Sequence, residues 1–295
     1  MAMPTFAKAK LQPSASKGST LGIDVGASKV RSVVLEKNKT ILDEEAKLTA
    51  PSQEELRRIL QEISQRIKDG GFAITGVGVG LPGTVEGSGV SSALNFPALA
   101  GWNIKKELEE LFQVPIFLIN DAKAFVLAEA KLGAVQGKKN VVGLTLGSGL
   151  GLGLILNGEP YLGHGSAGEV GHEIVDLPNR KEAEDFASAK FFKKFGKSPD
   201  ELRRLAETGD QAAKQAFEEF GKNLGTIIAN LVNLLDPEEI VLGGGITGAY
   251  NFFIEETRRS AADLIVNPNC KNIEIRPTAL GPAAGAIGAA ILAGL

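Results

Sequence analysis

The sequence predicts an α/β protein in two related halves, and three observations carry that expectation. Strand-like and helix-like hydrophobic patterns alternate along the chain. A glycine-turned apolar hairpin that begins near Leu21 recurs near Val141. The 36 glycines gather in loops at the ends of strand-like runs, where backbone turns sharply or comes close to a ligand.

Taken in order, LGIDVGASKVRSVVLEKNKTILDEE alternates apolar and polar residues around Gly26 and again around Lys37-Asn38, which predicts a meander of two or three strands. A helix follows, opened by Pro51 and Ser52, with Ser52 and Glu55 as a capping box, Leu56, Ile59, Ile63 and Ile67 as its apolar stripe, and Gly70 at its close. AITGVGVG reads as a strand ending in the turn LPG, NIKKELEELF as a helix and VPIFLI as a strand. VVGLTLGSGLGLGLILNGEPYL then repeats the first hairpin, with Gly143 and Gly147 around a strand as Gly22 and Gly26 are, and Thr145 where Asp24 stood. A long helix carries Phe217, Phe220, Leu224, Ile227, Leu231 and Leu235 and stops before Pro237. EIVL runs as a strand into GGGITG and a further helix, and Pro282 opens a small-residue helix, PAAGAIGAAILAGL. A cleft between the halves is the expected ligand site.

Hydrophobic residues at 43% and charged residues at 23% describe a folded globular chain. A net charge of −3 provides no broad positive field for nucleic acid or an anionic membrane, so a small-molecule partner is expected. One cysteine, Cys270, excludes an internal disulfide. With only two histidines, His164 and His172, it also excludes the usual Cys/His zinc cage, and a reducing cytoplasm fits. Residues 1–18 lack the apolar core of a signal peptide and read as a flexible tail, and no run of 18 apolar residues suggests a membrane span.

Two stretches match G-x-G-x-x-G. Gly78, Gly80 and Gly83 follow a strand but open no helix, so that match fails its context. Gly243, Gly245 and Gly248 follow a strand and precede a helix, which suits either a nucleotide or a tight strand-to-helix turn. Asp24 ends an apolar strand beside Gly26, Ser28 and Lys29, so a carboxylate, backbone amides, a hydroxyl and an ammonium could face a phosphate-metal assembly; the same residues also make an ordinary turn. No GK[ST] follows either glycine hairpin, so neither is a Walker A loop. In LINDAKAF, Asn120 and Asp121 stand between a strand and a helix, where Asp121 is either a helix cap or a general base toward a hydroxyl. In GSAGEVGHEIVDLP, His172 offers one donor and one acceptor and Glu169 offers acceptors, a set suited to a polyol.

In combination these segments resemble the ROK family, the repressor, open reading frame and kinase group of the actin-like ATPase superfamily, from Leu21 onward. GIDVGASKVR is similar to its first phosphate motif, INDAKAF to its catalytic segment, TLGSGLGLGLILNG to its second phosphate motif, EVGH to its E-x-G-H signature and IVLGGGIT to its adenosine motif. The resemblance implies a two-lobed actin-like ATPase (ribonuclease H-like) fold with mixed sheets, nucleotide and sugar lying in the interlobe cleft. The expected division is a smaller N-terminal lobe over 19–120 and a larger C-terminal lobe over 121–295, the last helix, 282–294, packing back on the N-terminal lobe.

It further implies transfer of the ATP γ-phosphate to a hexose, glucose first, at the C6 hydroxyl. Asp121 would be the base and Asn120 would hold a neighbouring hydroxyl, while Glu169, His172 and Glu184 would contact the sugar, with Glu182 the alternative to Glu184. Asp24, Gly26, Ser28, Lys29, Gly147, Ser148, Gly149, Gly243, Gly244 and Gly245 would bind ATP, and Asp24 would meet Mg²⁺, directly or through water. Many members follow E-x-G-H with a cysteine-rich zinc loop; here DLPNRKEAEDFAS has no cysteine, so no structural zinc is expected. A homodimer is compatible with the resemblance. Three other readings remain: a kinase for an N-acetylated amino sugar, a sugar-responsive repressor, and an actin-like assembly ATPase. The repressor reading needs a helix-turn-helix ahead of the first hairpin, where about 20 unpatterned residues stand. The polyol-suited cluster speaks against the assembly ATPase.

Overall fold

The computed structural model describes residues 18–295, so the expected tail lies outside the described residues except for Gly18. Two compact units are present. One comprises the chain up to Ala128 with Leu162–Ser166 and Ala283–Leu295, the other Glu129–Tyr161 with Ala167–Pro282.

The first unit opens with the meander β1 (Ser19–Val25), β2 (Lys29–Glu36) and β3 (Lys39–Lys47). Lys37 and Asn38 both take positive φ, 46° and 63°, as a two-residue hairpin connection requires. Helix α1 (Gln53–Asp69) buries Leu56, Ile59, Ile63 and Ile67 in one core with Leu21, Ile23 and Val79. The expected capping box forms only by half. Ser52 Oγ accepts from Glu55 N at 3.2 Å, but the Glu55 carboxylate reaches past Ser52 to the amides of Thr49 and Ala50 at 3.0 and 2.8 Å. Strand β4 (Ile74–Leu81) runs into a small ribbon, β5 (Thr84–Glu86) and β6 (Gly89–Ser92), and not into a helix. Helix α2 (Ile104–Phe112), strand β7 (Ile116–Asn120) and the start of α3 (Asp121–Leu132) follow. The sheet order is β3-β2-β1-β4-β7, with β1, β4 and β7 parallel and Asp24, Gly80 and Ile119 in one row.

The second unit holds β8 (Val141–Leu146), β9 (Leu150–Leu156) and β10 (Glu159–Pro160), then the short hairpin β11 (Ile174–Asp176) and β12 (Lys181–Glu182). Helices α4 (Ala183–Ala187), α5 (Ala189–Phe192), α6 (Pro199–Glu207) and α7 (Gln211–Leu235) precede β13 (Glu239–Gly243), α8 (Tyr250–Leu264) and β14 (Glu274–Pro277). Its sheet order, β10-β9-β8-β13-β14, repeats the first: an antiparallel meander followed by two strands parallel to the first of it. The internal duplication expected from the two glycine hairpins is therefore a duplication of whole sheets. The phenylalanine stripe of α7 forms the core here, Phe192 meeting Phe217 and Phe220 at ring-centroid distances of 5.1 Å each. Glu129, fully buried, accepts from Ala134 N at 2.7 Å, from Ala279 N and Leu280 N at 3.2 Å each, and from the Thr278 hydroxyl.

Helix α9 (Ala284–Leu292) returns to the first unit and lies on β1 and β4. The contact is backbone on backbone: a Cβ at Gly22 would stand 1.8 Å from the Ala286 carbonyl oxygen, and one at Gly78 1.8 Å from that of Ala289. That closeness explains why the helix is rich in alanine and glycine, six of its nine residues. Ala124 of α3 packs with Ile119 and Ala289, which is why the first turns of α3 group with the first unit. Among the described residues no helix is long and apolar enough to cross a membrane.

Candidate active site

The carboxyl ends of parallel strands are where open α/β sheets present ligand-binding groups. In the first unit those ends carry Asp24 on β1 and Asn120 on β7, with Asp121 as the first residue of α3. Asn120 is the residue that closes the helix start: its Oδ1 accepts from Ala122 N at 3.0 Å and Lys123 N at 3.2 Å, and its Nδ2 donates to Gly83 O at 3.0 Å. Asp121 is therefore not the cap of α3. Its Oδ1 accepts from the next amide in sequence, Ala122 N, at 2.8 Å. With both lone pairs of its oxygen engaged, Asn120 has its second amide N–H left to offer a ligand.

Asp24 is half-buried by surface area yet ringed by protein atoms, and burial pushes its carboxyl up to about 7. The negative charge of Asp121 pushes the same way, while Lys29 and Arg31 pull weakly against it. Two carboxylates in one electrostatic field, one held against ionisation, form a site short of positive charge. A hard divalent cation with a phosphate chain answers that deficit, so the donor set fits Mg²⁺. Lys29, expected at the phosphate, instead reaches Glu45 Oε2 at 2.9 Å, beside Arg31, which binds Asp43 and Glu45 at 2.6 and 2.8 Å. Gly26 and Ser28 stand in the turn between them, Gly26 N donating to Lys29 O at 2.8 Å and Ser28 exposed.

In the second unit Gly147, Ser148 and Gly149 form the β8–β9 turn. Gly147 N donates to Gly149 O at 3.0 Å, Ser148 is exposed, and a Cβ at Gly147 would meet nothing within 4 Å. At the end of β13, Gly243 is buried in the strand. Gly244 has φ 86° and would place a Cβ 2.4 Å from Leu146 O, whereas Gly245 faces open space. The three glycines thus do different work: Gly244 makes the tight turn, and Gly245 is the one that leaves room for a ligand.

Glu169 precedes and His172 ends a single 3-10 turn, Val170–His172, both residues exposed. The turn presses on β9, since a Cβ at Gly171 would fall 2.5 Å from Leu150 O. His172 Nδ1 lies 3.1 Å from Glu182 Oε2. Glu184 is buried, ion-paired with Lys190, and its Oε2 accepts from Leu150 N at 3.4 Å. Ligand-capable atoms of His172, Glu182 and Glu184 lie within 4.8 Å of one another. Each already has a partner: Glu182 the imidazole, Glu184 the Lys190 ammonium.

The sequence profile of the ROK family matches residues 20–294. The chain belongs to the ROK family. It is 28% identical over 315 residues to the glucokinase of Streptomyces coelicolor, covering 94% of this chain and 98% of that one. It is 26% identical over 293 residues to the xylose repressor of Bacillus spizizenii, covering 92% of this chain and 76% of the repressor. The crystal structure of a ROK family glucokinase from Streptomyces griseus in complex with glucose and AMPPNP superposes with a TM-score of 0.83 at 25% identity, covering 94% and 99% of the two chains. The fold of this ROK chain is accordingly the duplicated actin-like ATPase fold, and its relatives include both sugar kinases and repressors.

Two residues of this ROK chain, and the role of a third, escaped sequence reasoning. Gly285, the second residue of α9, abuts the Asp24 carboxylate, where a Cβ would fall 2.5 Å from Oδ2. Lys123, buried two residues after Asp121, donates to Gly165 O at 2.6 Å and so ties Leu162–Ser166 to the first unit. Glu182 meets the signature histidine rather than merely standing in for Glu184. Only the first had a signal, the run of small residues after Pro282.

Proposed function

We propose that this ROK protein transfers the γ-phosphoryl group of ATP to the C6 hydroxyl of a hexose, glucose first. The observation that carries the reading is Asp121, which is relieved of helix capping by Asn120 and shares an electrostatic field with Asp24 at the ends of parallel strands. Asp121 takes the proton of the C6 hydroxyl as its oxygen attacks the γ-phosphorus, and ADP leaves. Asn120 donates its second amide N–H to a neighbouring hydroxyl. Glu169, His172 and Glu184 hold hydroxyls nearer the anomeric carbon. Asp24 would meet Mg²⁺, directly or through water. The turns at Gly26, Ser28 and Lys29 and at Gly147, Ser148 and Gly149 would flank the phosphates, Lys29 exchanging Glu45 for them, and Gly243, Gly244 and Gly245 would receive the adenosine. Mg²⁺, arriving with the nucleotide, supplies charge neutralisation on the phosphates. A reducing cytoplasm, where ATP and sugar are available, fits the single free thiol at Cys270.

The similarity to a xylose repressor favours a second reading, a sugar-responsive regulator without turnover. One experiment separates them: Mg-ATP with glucose, mannose, fructose, N-acetylglucosamine and N-acetylmannosamine in turn, following ADP release. Sugar-dependent release with glucose above the others supports the proposal, and preference for an acetylated sugar moves it to the amino-sugar kinases. Saturable sugar binding by calorimetry with no ADP release from any of them sinks the kinase reading in favour of the regulator.

A further inference from the structure

An exposed histidine on a short turn has a ring free to spin and two nitrogens of unfixed role, a poor device for reading one hydroxyl. His172 is not left in that condition. The hairpin β11–β12 begins two residues after it, and its register sets Glu182 opposite Ile174. The chain reverses at Asp176, whose two oxygens accept from Asn179 N at 3.2 Å and Asn179 Nδ2 at 2.8 Å, and Arg180 takes φ 52° to complete the turn. Ala183 N then bonds Glu173 O at 2.8 Å, so the residue after Glu182 is stitched to the residue after His172. Glu182 is pinned from the other side as well, its amide donating to Asp185 Oδ2 at 3.1 Å at the head of α4. The outcome is a carboxylate oxygen 3.1 Å from His172 Nδ1.

We infer that Glu182 is a positioning residue for the sugar: its carboxylate holds the proton of His172 on Nδ1 and turns Nε2, as an acceptor, toward a sugar hydroxyl. A carboxylate can only accept, so the shared proton stands on the imidazole, and in the neutral ring Nε2 then has a lone pair. Glu169 and Glu184 are acceptors too. This end of the site therefore recognises hydroxyls as donors, which selects unblocked ring hydroxyls over methylated ones. The pair is exposed, with side-chain accessibilities of 40% and 37%, so it adds little to folding and its work is orientation. The inference rests on the kinase reading for its substrate but not for the state of the ring.

The test uses that separation. In nitrogen-15 histidine correlation spectra at pH 8 only two histidines contribute, His164 and His172. Wild type and Glu182→Gln, which keeps an acceptor at that position, are expected to show His172 with its proton on Nδ1, and Glu182→Ala to lose that preference. In turnover assays Glu182→Ala is expected to raise the KM for sugar about tenfold or more, as for other partners that orient a functional imidazole. kcat and thermal midpoint should stay nearly unchanged, and Glu182→Gln should recover most of the KM. A ring unchanged in Glu182→Ala, or Gln behaving as Ala does, overturns the inference. So does one zinc per chain in purified wild type that is lost in Glu182→Ala, since Glu182 would then be a metal ligand. If no sugar is turned over by wild type, the kinase reading fails while the spectra still decide the role of Glu182.

Discussion

Replacing Asp24 by asparagine should make the unliganded protein more stable at neutral pH while abolishing its activity. In the folded chain the Asp24 carboxyl keeps its proton up to about pH 7, against an ordinary value of 3.8. That difference of about 3 units is worth roughly 4 kcal/mol at 1.36 kcal/mol per unit, and the partial exposure of the group reduces it toward about 2. The sign follows from which state loses the proton first. The unfolded chain ionises near pH 4 and the folded one near pH 7, so stability is whole below about pH 4, drains away between pH 4 and 7, and is fully lost above that. Asparagine does not titrate. Urea unfolding of both proteins from pH 4.5 to pH 8, without nucleotide, should therefore show a gap in favour of Asp24→Asn that widens by about 2 kcal/mol across the series. Any fixed difference in hydrogen bonding between the two side chains shifts the curves equally and cancels. Parallel curves, or a gap that narrows as pH rises, would refute the argument that burial and Asp121 hold Asp24 against ionisation.

Other expectations follow from the same geometry. Asp121→Asn should lower kcat about 100-fold, the scale of a lost general base, with sugar binding by calorimetry intact because Asn120 still caps α3; normal turnover would remove Asp121 from the chemistry. Gly244→Ala should cost at least about 2 kcal/mol in chemical denaturation through its positive φ and the clash with Leu146 O. Its neighbour Gly245→Ala should leave stability alone but raise the KM for ATP about tenfold, a contact of roughly 1.4 kcal/mol; equal effects of the two would undo the division of labour between these glycines. Glu129→Ala removes the buried acceptor of three part-buried amides and should destabilise by about 2 kcal/mol or more, read as a lower urea midpoint.

The duplication was legible because both hairpins spell it out twice, and helices α1 and α7 because their apolar stripes are periodic. The site segments were legible for a different reason: Asp24, Glu169 and His172 stand at glycine-marked breaks where periodicity stops, and Asn120 stands where a strand pattern gives way to a helix pattern. What escaped the sequence is everything set by contact across long separations. Nothing in PAAGAIGAA tells that Gly285 faces Asp24, since that depends on how closely α9 settles on β1. Lys123 reads as an ordinary helical lysine until Gly165 O is placed beside it. The division of roles between Asn120 and Asp121 is a matter of which side chain turns back on the helix, and both are good caps by composition. Glu182 and Glu184 differ by two positions, and only the register of a two-residue strand decides which of them meets His172.

The backbone contact between α9 and the strands bearing Gly22 and Gly78 also governs the order in which the protein can be made. Residues 19–132 leave the ribosome with the face of β1 and β4 uncovered, and its cover is residues 284–292. At 5–20 residues per second, the roughly 150 residues in between take about 8 to 30 s to synthesise. During that wait the first sheet carries a bare, glycine-lined stripe, and the Asp24 carboxylate lacks its Gly285 neighbour. The first unit begun is thus completed only after the second has been synthesised, which makes a prematurely stopped chain a problem for chaperones rather than a functional half.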